Sequence, residues 1–325
     1  MAMLLSREEM TYDFEGAKLD PVRDKELLAW IFNQCLYGEV TGIQCGHWLY
    51  NAPDLDAARF LAKQSLEEFQ HVDNFLQCLA YIDAEPEEPN KIIQFLTTGM
   101  MPDCWEEHVS LEMAQGEGLV LMAFYALIDI LDQQEIVDIL KRAVKQEERH
   151  VEFGEQRTKD LIAHDPVMRR RLLGFNLVSL WSVQRLARFV KDRLDADHPL
   201  YEHLPRFIEF VAYTAELRLQ RLGLIDRPLR EFSRAQLAGY VAFSYGHKTA
   251  FKVLGMWKSL IPFIGKTERL TDTYLGDAAI KNQIAVSKAK RDKKRALGDV
   301  APVETLAAEV DPLNEPSEVG LSAAS

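Results

Sequence analysis

Apolar residues recur at helical spacing along most of this chain, and clusters of Pro, Gly and Asn cut the pattern into long segments. A first pattern rich in Leu, Ile, Trp and Phe runs from about Pro21 to Tyr50 and stops at Asn51-Ala52-Pro53. Asp54 is then placed to cap a second helix reaching about Asp83. Residues 84–102 carry Pro86, Pro89, Gly99 and Pro102, too broken for one long helix, although Lys91–Leu96 fits a turn or two. A third helix is predicted from about Cys104 to Leu131. Asp132-Gln-Gln-Glu135 has the spacing of a capped start, and a fourth helix continues to about Ala163. Beyond it Asp165-Pro166 opens another helix, Leu172–Leu194 is strongly apolar, and His198-Pro199 breaks it. Leu204–Leu222 follows, and Ser233-Arg-Ala-Gln236 opens a helix to about Lys258. Residues 1–20 read as a polar lead-in.

The pattern is that of an all-α protein. The first and second helices are joined tightly, as are the third and fourth, so each pair is expected to be antiparallel. The middle link is roughly 20 residues, long enough to cross a bundle from end to end. The expected organisation is a four-helix bundle over residues 1–163 and a helical extension over 164–280, packed on the bundle or forming an interface. A basic, then flexible, tail covers 281–325.

Polar residues interrupt the inner faces of these helices at matching places. Glu147 and His150 stand three apart on the fourth helix and therefore share a face; Glu68 and His71 repeat the arrangement on the second. Glu39 lies about 13 residues before the first turn and Glu68 about 16 after it, a mismatch of about 5 Å at 1.5 Å per residue. Glu117 and Glu147 each lie about 15 residues from the second turn. Four carboxylates and two imidazoles, Glu39, Glu68, His71, Glu117, Glu147 and His150, thus fall at a similar depth, mid-helix. Carboxylates facing one another in a low dielectric repel strongly, and two divalent cations would neutralise them. The donors are hard oxygens with some nitrogen and no thiolate, which suits iron or manganese rather than structural zinc. Glu112 is a rival to Glu117 that fits the depth less well, and Glu67, Glu148 and Glu152 read as surface groups or as supports for the ligands. The bland alternative is a pair of coincidental Glu/His pairs on solvated faces. Gly38, Gly42 and Gly46 beside Glu39, with Gly116 and Gly118 beside Glu117, suggest either a substrate channel or close helix contact.

Composition narrows the field. The chain has 325 residues, 47% hydrophobic and 27% charged, an ordinary globular balance. A net charge of −12 and a pI near 5.2 argue against general nucleic-acid binding. No signal peptide is expected, nor any membrane span free of charges. Cys35, Cys45, Cys78 and Cys104 fit no zinc spacing and read as reduced thiols of a cytoplasmic protein.

The phrases Gly38-Glu39, Leu61-Ala-Lys63 leading to Glu68-x-x-His71, Glu117 ahead of an apolar helix, and Val144-Lys145-x-Glu147-x-x-His150-x-x-Phe153-Gly154-Glu155 carry a resemblance. Over roughly residues 25–160 the chain resembles the ferritin-like di-iron carboxylate proteins, and its wording is most similar to oxygenase branches such as aldehyde-deformylating oxygenases and phenylacetyl-CoA epoxidase catalytic subunits. The resemblance implies a ferritin-like bundle holding two iron ions (Fe2+/Fe3+), with manganese an option at one position. His71 and His150 would bind one metal each, Glu39 and Glu147 would be terminal or shifting carboxylates, and Glu68 and Glu117 could bridge. It also implies a non-haem di-iron monooxygenase, taking O2 and a small organic, apolar or acyl-type substrate, with electrons from a separate reductase or ferredoxin. An iron-storing or peroxide-detoxifying ferroxidase of the ferritin or rubrerythrin type is the alternative, and a scaffold without redox function a third.

The helices beyond residue 164 weigh toward the oxygenase, because a storage cage needs only the bundle. Phe175, Trp181 and Phe189 are expected in a core or a homodimer interface, with a membrane face the alternative. Phe251–Phe263, followed by Lys288, Lys290, Arg291, Lys293, Lys294 and Arg295, offers peripheral contact with an anionic membrane, or simply a solvated face.

Overall fold

The computed structural model describes residues 3–260 together with residues 285, 288–290, 292 and 293. Among the described residues no strand forms, and the architecture is all-α. Asn51–Asp54 separates the first two long helices. Helix α2 (Lys25–Gly42) tightens into a 3₁₀ segment (Ile43–Leu49) before it, and α3 (Leu55–Tyr81) starts after it with the Asp54 carboxylate accepting the Ala57 N–H at 2.7 Å. The buried stripe of α3 runs through Ala57, Leu61, Gln64, Glu68, His71, Phe75 and Leu79 at spacings of three and four. Its ends are apolar and its middle is ionisable.

The link after α3 is pinned back onto α2 rather than hanging free. Asn33 Oδ1 accepts the Glu87 N–H at 2.8 Å and Gln34 Oε1 accepts the Asn90 N–H at 2.6 Å. A short α4 (Lys91–Gln94) and a π turn (Phe95–Gly99) follow, after α1 (Arg7–Met10) at the start of the chain. The third rod is one unbroken run, Trp105–Ile130. It consists of α5 (Trp105–Glu107), a π-helical segment (His108–Glu117) and α6 (Gly118–Ile130). By length and composition it could span a membrane, yet 61% of its apolar window is buried inside the protein, as in the core helix of a globular fold.

Helix α7 (Gln134–Ile162) packs along this rod and against α3. The capped start expected at Asp132 does not form: the N-cap is Gln133, with no side-chain bond, and Asp132 lies 3.4 Å from Lys18 Nζ instead. A β-carbon at Gly154 of α7 would stand 2.6 Å from the Ala114 backbone nitrogen and 2.5 Å from Met113 Cβ. Only glycine lets α7 and the π-helical segment approach so closely.

Over residues 3–20 the expected polar lead-in is not what forms. Leu5, Met10, Phe14 and Leu19 are buried to within 1% of full coverage, and the Leu19 N–H donates to Ile130 O at 2.8 Å. Their spacing of five, four and five residues matches neither helix nor strand, so periodicity passes over them. Burying each is worth roughly 1.5–3 kcal/mol. Glu155 of α7 ties this strap down by accepting the Leu4 N–H at 2.6 Å and Arg218 Nε–H at 3.1 Å.

Three further helices follow, α8 (Pro166–Lys191), α9 (His203–Leu222) and α10 (Arg234–Leu260). Asp165 caps α8 through the Val167 and Met168 N–H groups, and Gly223, with φ of 85°, ends α9. Helices α8 and α9 both lie against the rod that carries Glu117. Phe175 is buried, but Trp181 and Phe189 are exposed in this chain, so they are not core residues. On α10, Phe251, Leu254 and Met256 are exposed. The stretch expected to continue to Phe263 passes outside the described residues after Leu260, as does the tail over 281–325 apart from the six positions named above.

Candidate metal centre

The ionisable middles of the helices meet at one place. Glu39, Glu68, His71 and Glu147 form one group and Glu68, Glu117 and His150 a second; within each group the donor atoms lie within 4.8 Å of one another. Glu68 belongs to both. Helix α2 supplies Glu39, α3 supplies Glu68 and His71, the end of the π-helical segment supplies Glu117, and α7 supplies Glu147 and His150. All are buried except Glu117, which is partly covered. The structure thus brings all six side chains together.

Each imidazole turns Nδ1 inward. His71 Nδ1 stands 3.0 Å from Glu147 Oε1, 3.2 Å from Glu39 Oε2 and 3.8 Å from Glu68 Oε2. His150 Nδ1 stands 3.5 Å from Glu68 Oε1, 3.6 Å from Glu147 Oε2 and 3.7 Å from Glu117 Oε2. Both Glu68 and Glu147 therefore reach both rings with separate oxygens. Glu117, which the resemblance implied could bridge, faces His150, whereas Glu147, implied as terminal or shifting, faces both rings. The outer Nε2 of each ring is held elsewhere, that of His71 by Gln146 Oε1 at 2.8 Å and that of His150 by Glu67 Oε2 at 2.8 Å.

Buried polar atoms without a hydrogen-bond partner converge here: Glu117 Oε2, Glu147 Oε2, His150 Nδ1 and Gln64 Oε1. Buried polar groups are almost always satisfied, so such a concentration calls for something that accepts lone pairs. A cation does so. The donor set is carboxylate oxygen and imidazole nitrogen, which fits iron or manganese. Among the described residues no cysteine joins either group, and burial pushes the Cys45 thiol up to about 12 and raises Cys35 as well.

Taken as side chains alone, the cluster holds protons where cations would bind. Burial pushes Glu39 up to about 8 and raises Glu117 well above the usual carboxylate range, with Glu147 and Glu68 adding repulsion. Burial opposes charge on the histidines too, yet hydrogen bonds to Glu147, Glu39 and Glu68 raise His71, and those to Glu147 and Glu67 carry His150 up to about 9. Burial would raise Glu147, but the two rings hold it down to about 2.

Glu112, the rival to Glu117, is engaged elsewhere. It accepts from Gln44 Nε2 at 2.7 Å and pairs with His108 Nδ1 at 2.5 Å. His108 is itself buried and stacked on Trp48. The glycine cluster resolves mostly as close contact: a β-carbon at Gly42 would meet Glu68, one at Gly118 the Arg218 guanidinium, and one at Gly116 the Leu111 carbonyl. At Gly38 it would meet nothing within 4 Å.

Gln146 and Gln64 were not visible as site residues from the sequence. Gln64 Nε2 donates to Glu117 Oε1 at 2.8 Å and, more weakly, to Glu68 Oε1 at 3.3 Å. One signal was present: Gln146 precedes Glu147 just as Glu67 precedes Glu68. No family model, curated protein or solved structure matches this chain.

Proposed function

We propose that the chain is a ferritin-like four-helix bundle carrying a di-iron centre, and that it is an O2-dependent oxidoreductase acting on a small apolar or acyl-type organic substrate. The observation that carries this reading is the pairing of two Glu/His groups through one shared carboxylate, Glu68. In it His71 and Glu39 would hold one metal and His150 and Glu117 the other, with Glu68 and Glu147 within reach of both. When bound, the metal pair supplies the redox chemistry and the site for O2.

The protein's part is positional. Gln146 and Glu67 fix the rings with Nδ1 inward, so that each neutral imidazole carries its proton on Nε2 and offers a lone pair to the centre. Gln64 orients Glu117 and Glu68 by donating to both. Burial of Glu39, Glu68, His71, Glu147 and His150 excludes bulk water, which strengthens each charge interaction. Helices α8 and α9 cover the rod bearing Glu117, a use of the extra chain that fits a substrate-binding enzyme better than a cage subunit. Reducing electrons come from a separate donor in this reading.

The test is anaerobic loading with ferrous iron followed by O2, with and without candidate acyl, aldehyde and aromatic substrates, monitored by absorption and product analysis. An oxygenated or desaturated product formed in proportion to loaded protein supports the reading. Growth of a ferric mineral with no substrate turnover replaces it with iron storage.

A further inference from the structure

The two halves of the centre match on the inside. Each Nδ1 faces three carboxylates, Glu39, Glu147 and Glu68 around His71 and Glu68, Glu147 and Glu117 around His150, at 3.0–3.8 Å. The match continues one residue outward, since α3 and α7 exchange partners: α7 lends Gln146 to His71, and α3 lends Glu67 to His150. There the symmetry stops. One outer partner is an amide and the other a carboxylate.

We propose that this difference makes the halves unequal, so that the half built on His150 takes up a divalent cation first and holds it more tightly than the half built on His71. The inference rests on the di-metal reading above. A neutral imidazole that binds metal through Nδ1 must carry its proton on Nε2, so both outer bonds are donations from the ring. Donation to an anionic acceptor is stronger than donation to an amide oxygen. It draws the Nε2 proton outward and leaves more electron density on Nδ1, making His150 the better Lewis base.

Gln146 cannot imitate the carboxylate by rotating. Its Nε2 donates to Gln70 Oε1 at 3.0 Å, which keeps Oε1 toward His71. Nor is the Glu67 charge stranded. Its Oε1 accepts from Arg149 at 2.6 Å with Lys63 at 3.5 Å, leaving Oε2 to His150. Glu67 is buried to 6% exposure, so water does not dilute the bond.

The experiment is anaerobic Fe2+ titration of the full chain against a competing chelator, for the natural protein, Glu67→Gln and Gln146→Glu. Both substitutions preserve side-chain shape, and thermal unfolding of each metal-free protein reports whether the fold persists. The expected result is two resolved steps in the natural protein. Glu67→Gln weakens the tighter step about 10- to 100-fold, drawing it toward the other, and Gln146→Glu strengthens the weaker step. Equal steps in the natural protein overturn the proposal while leaving the di-metal reading intact. So does a Glu67→Gln variant that leaves the tighter step unchanged or weakens both steps alike, as a merely structural role would. Binding of fewer than two ions to the natural protein overturns both.

Discussion

Gly42 on α2 faces the Glu68 carboxylate so closely that a β-carbon there would stand 2.7 Å from Oε2 and 3.1 Å from Cδ. The glycine is what lets the shared carboxylate sit at the centre. In a helix, alanine is favoured over glycine by up to about 1 kcal/mol. Gly42→Ala should therefore leave the metal-free protein as stable or slightly more so, while displacing Glu68. Calorimetry and metal analysis should find an unchanged or higher metal-free Tm, with Fe2+ affinity lowered at least about tenfold. Full retention of both metals would show that Glu68 does not need this space.

The protons of the cluster set its pH response. Glu39 is raised from 4.5 to about 8 and His150 from 6.5 to about 9, so the folded metal-free chain binds more protons than the unfolded one across those intervals. Their contributions to stability fade as pH rises through them. Glu147, lowered from 4.5 to about 2, acts in the opposite sense, adding stability above 4.5 that is lost as pH falls toward 2. Metal-free Tm should thus fall between about pH 5 and 9, while metal affinity rises over the same range because cations displace the protons. Calorimetric titration with Fe2+ at pH 7 in buffers of different ionisation enthalpy should reveal more than one proton released per chain. Release of less than one would contradict the protonation described.

Arg218 is fully buried, and Glu155 is the carboxylate that accepts from its Nε, 3.1 Å away. Removing the carboxylate leaves an uncompensated buried charge, a loss of about 3–5 kcal/mol. Glu155→Ala should show that loss in chemical denaturation. Because Glu155 also accepts the Leu4 N–H, limited proteolysis should now cut within residues 3–20. Protection of that strap at natural levels would mean that its apolar anchors hold it alone.

At Gly154 the obstacle to a side chain is backbone, the Ala114 nitrogen and the Val109 carbonyl, and neither can turn away. Gly154→Ala should force α7 from the π-helical segment and destabilise by about 1–3 kcal/mol or more, measured by urea unfolding. A neutral result would show that the two elements can slide apart freely.

Much of this arrangement could be read from the sequence because it follows from period and depth. Glu68 with His71 and Glu147 with His150 each fill one helical face, and the tight turns after Tyr50 and Leu131 put the pairs at one level. The caps at Asp54 and Asp165 followed the same logic. What escaped was whatever lacks a period. Leu5, Met10, Phe14 and Leu19 are core residues on an irregular strap, invisible to a helical template. The π-helical segment His108–Glu117 carries no signature that sets it apart from an α-helix. Asp132 had cap spacing, but Lys18, from a part of the chain more than a hundred positions away, drew its carboxylate off. Gln146 became a partner of His71 only through the crossing of α3 and α7, a tertiary fact.

The central claim is a pair of metals held by Glu39, Glu68, His71, Glu117, Glu147 and His150. X-ray absorption at the iron edge on anaerobically loaded protein, with metal content measured on the same sample, tests it most directly. The account predicts two irons per chain, a first shell of oxygen and nitrogen alone, and a second iron within about 4 Å. A sulfur scatterer, or a single iron with no metal neighbour, would contradict it.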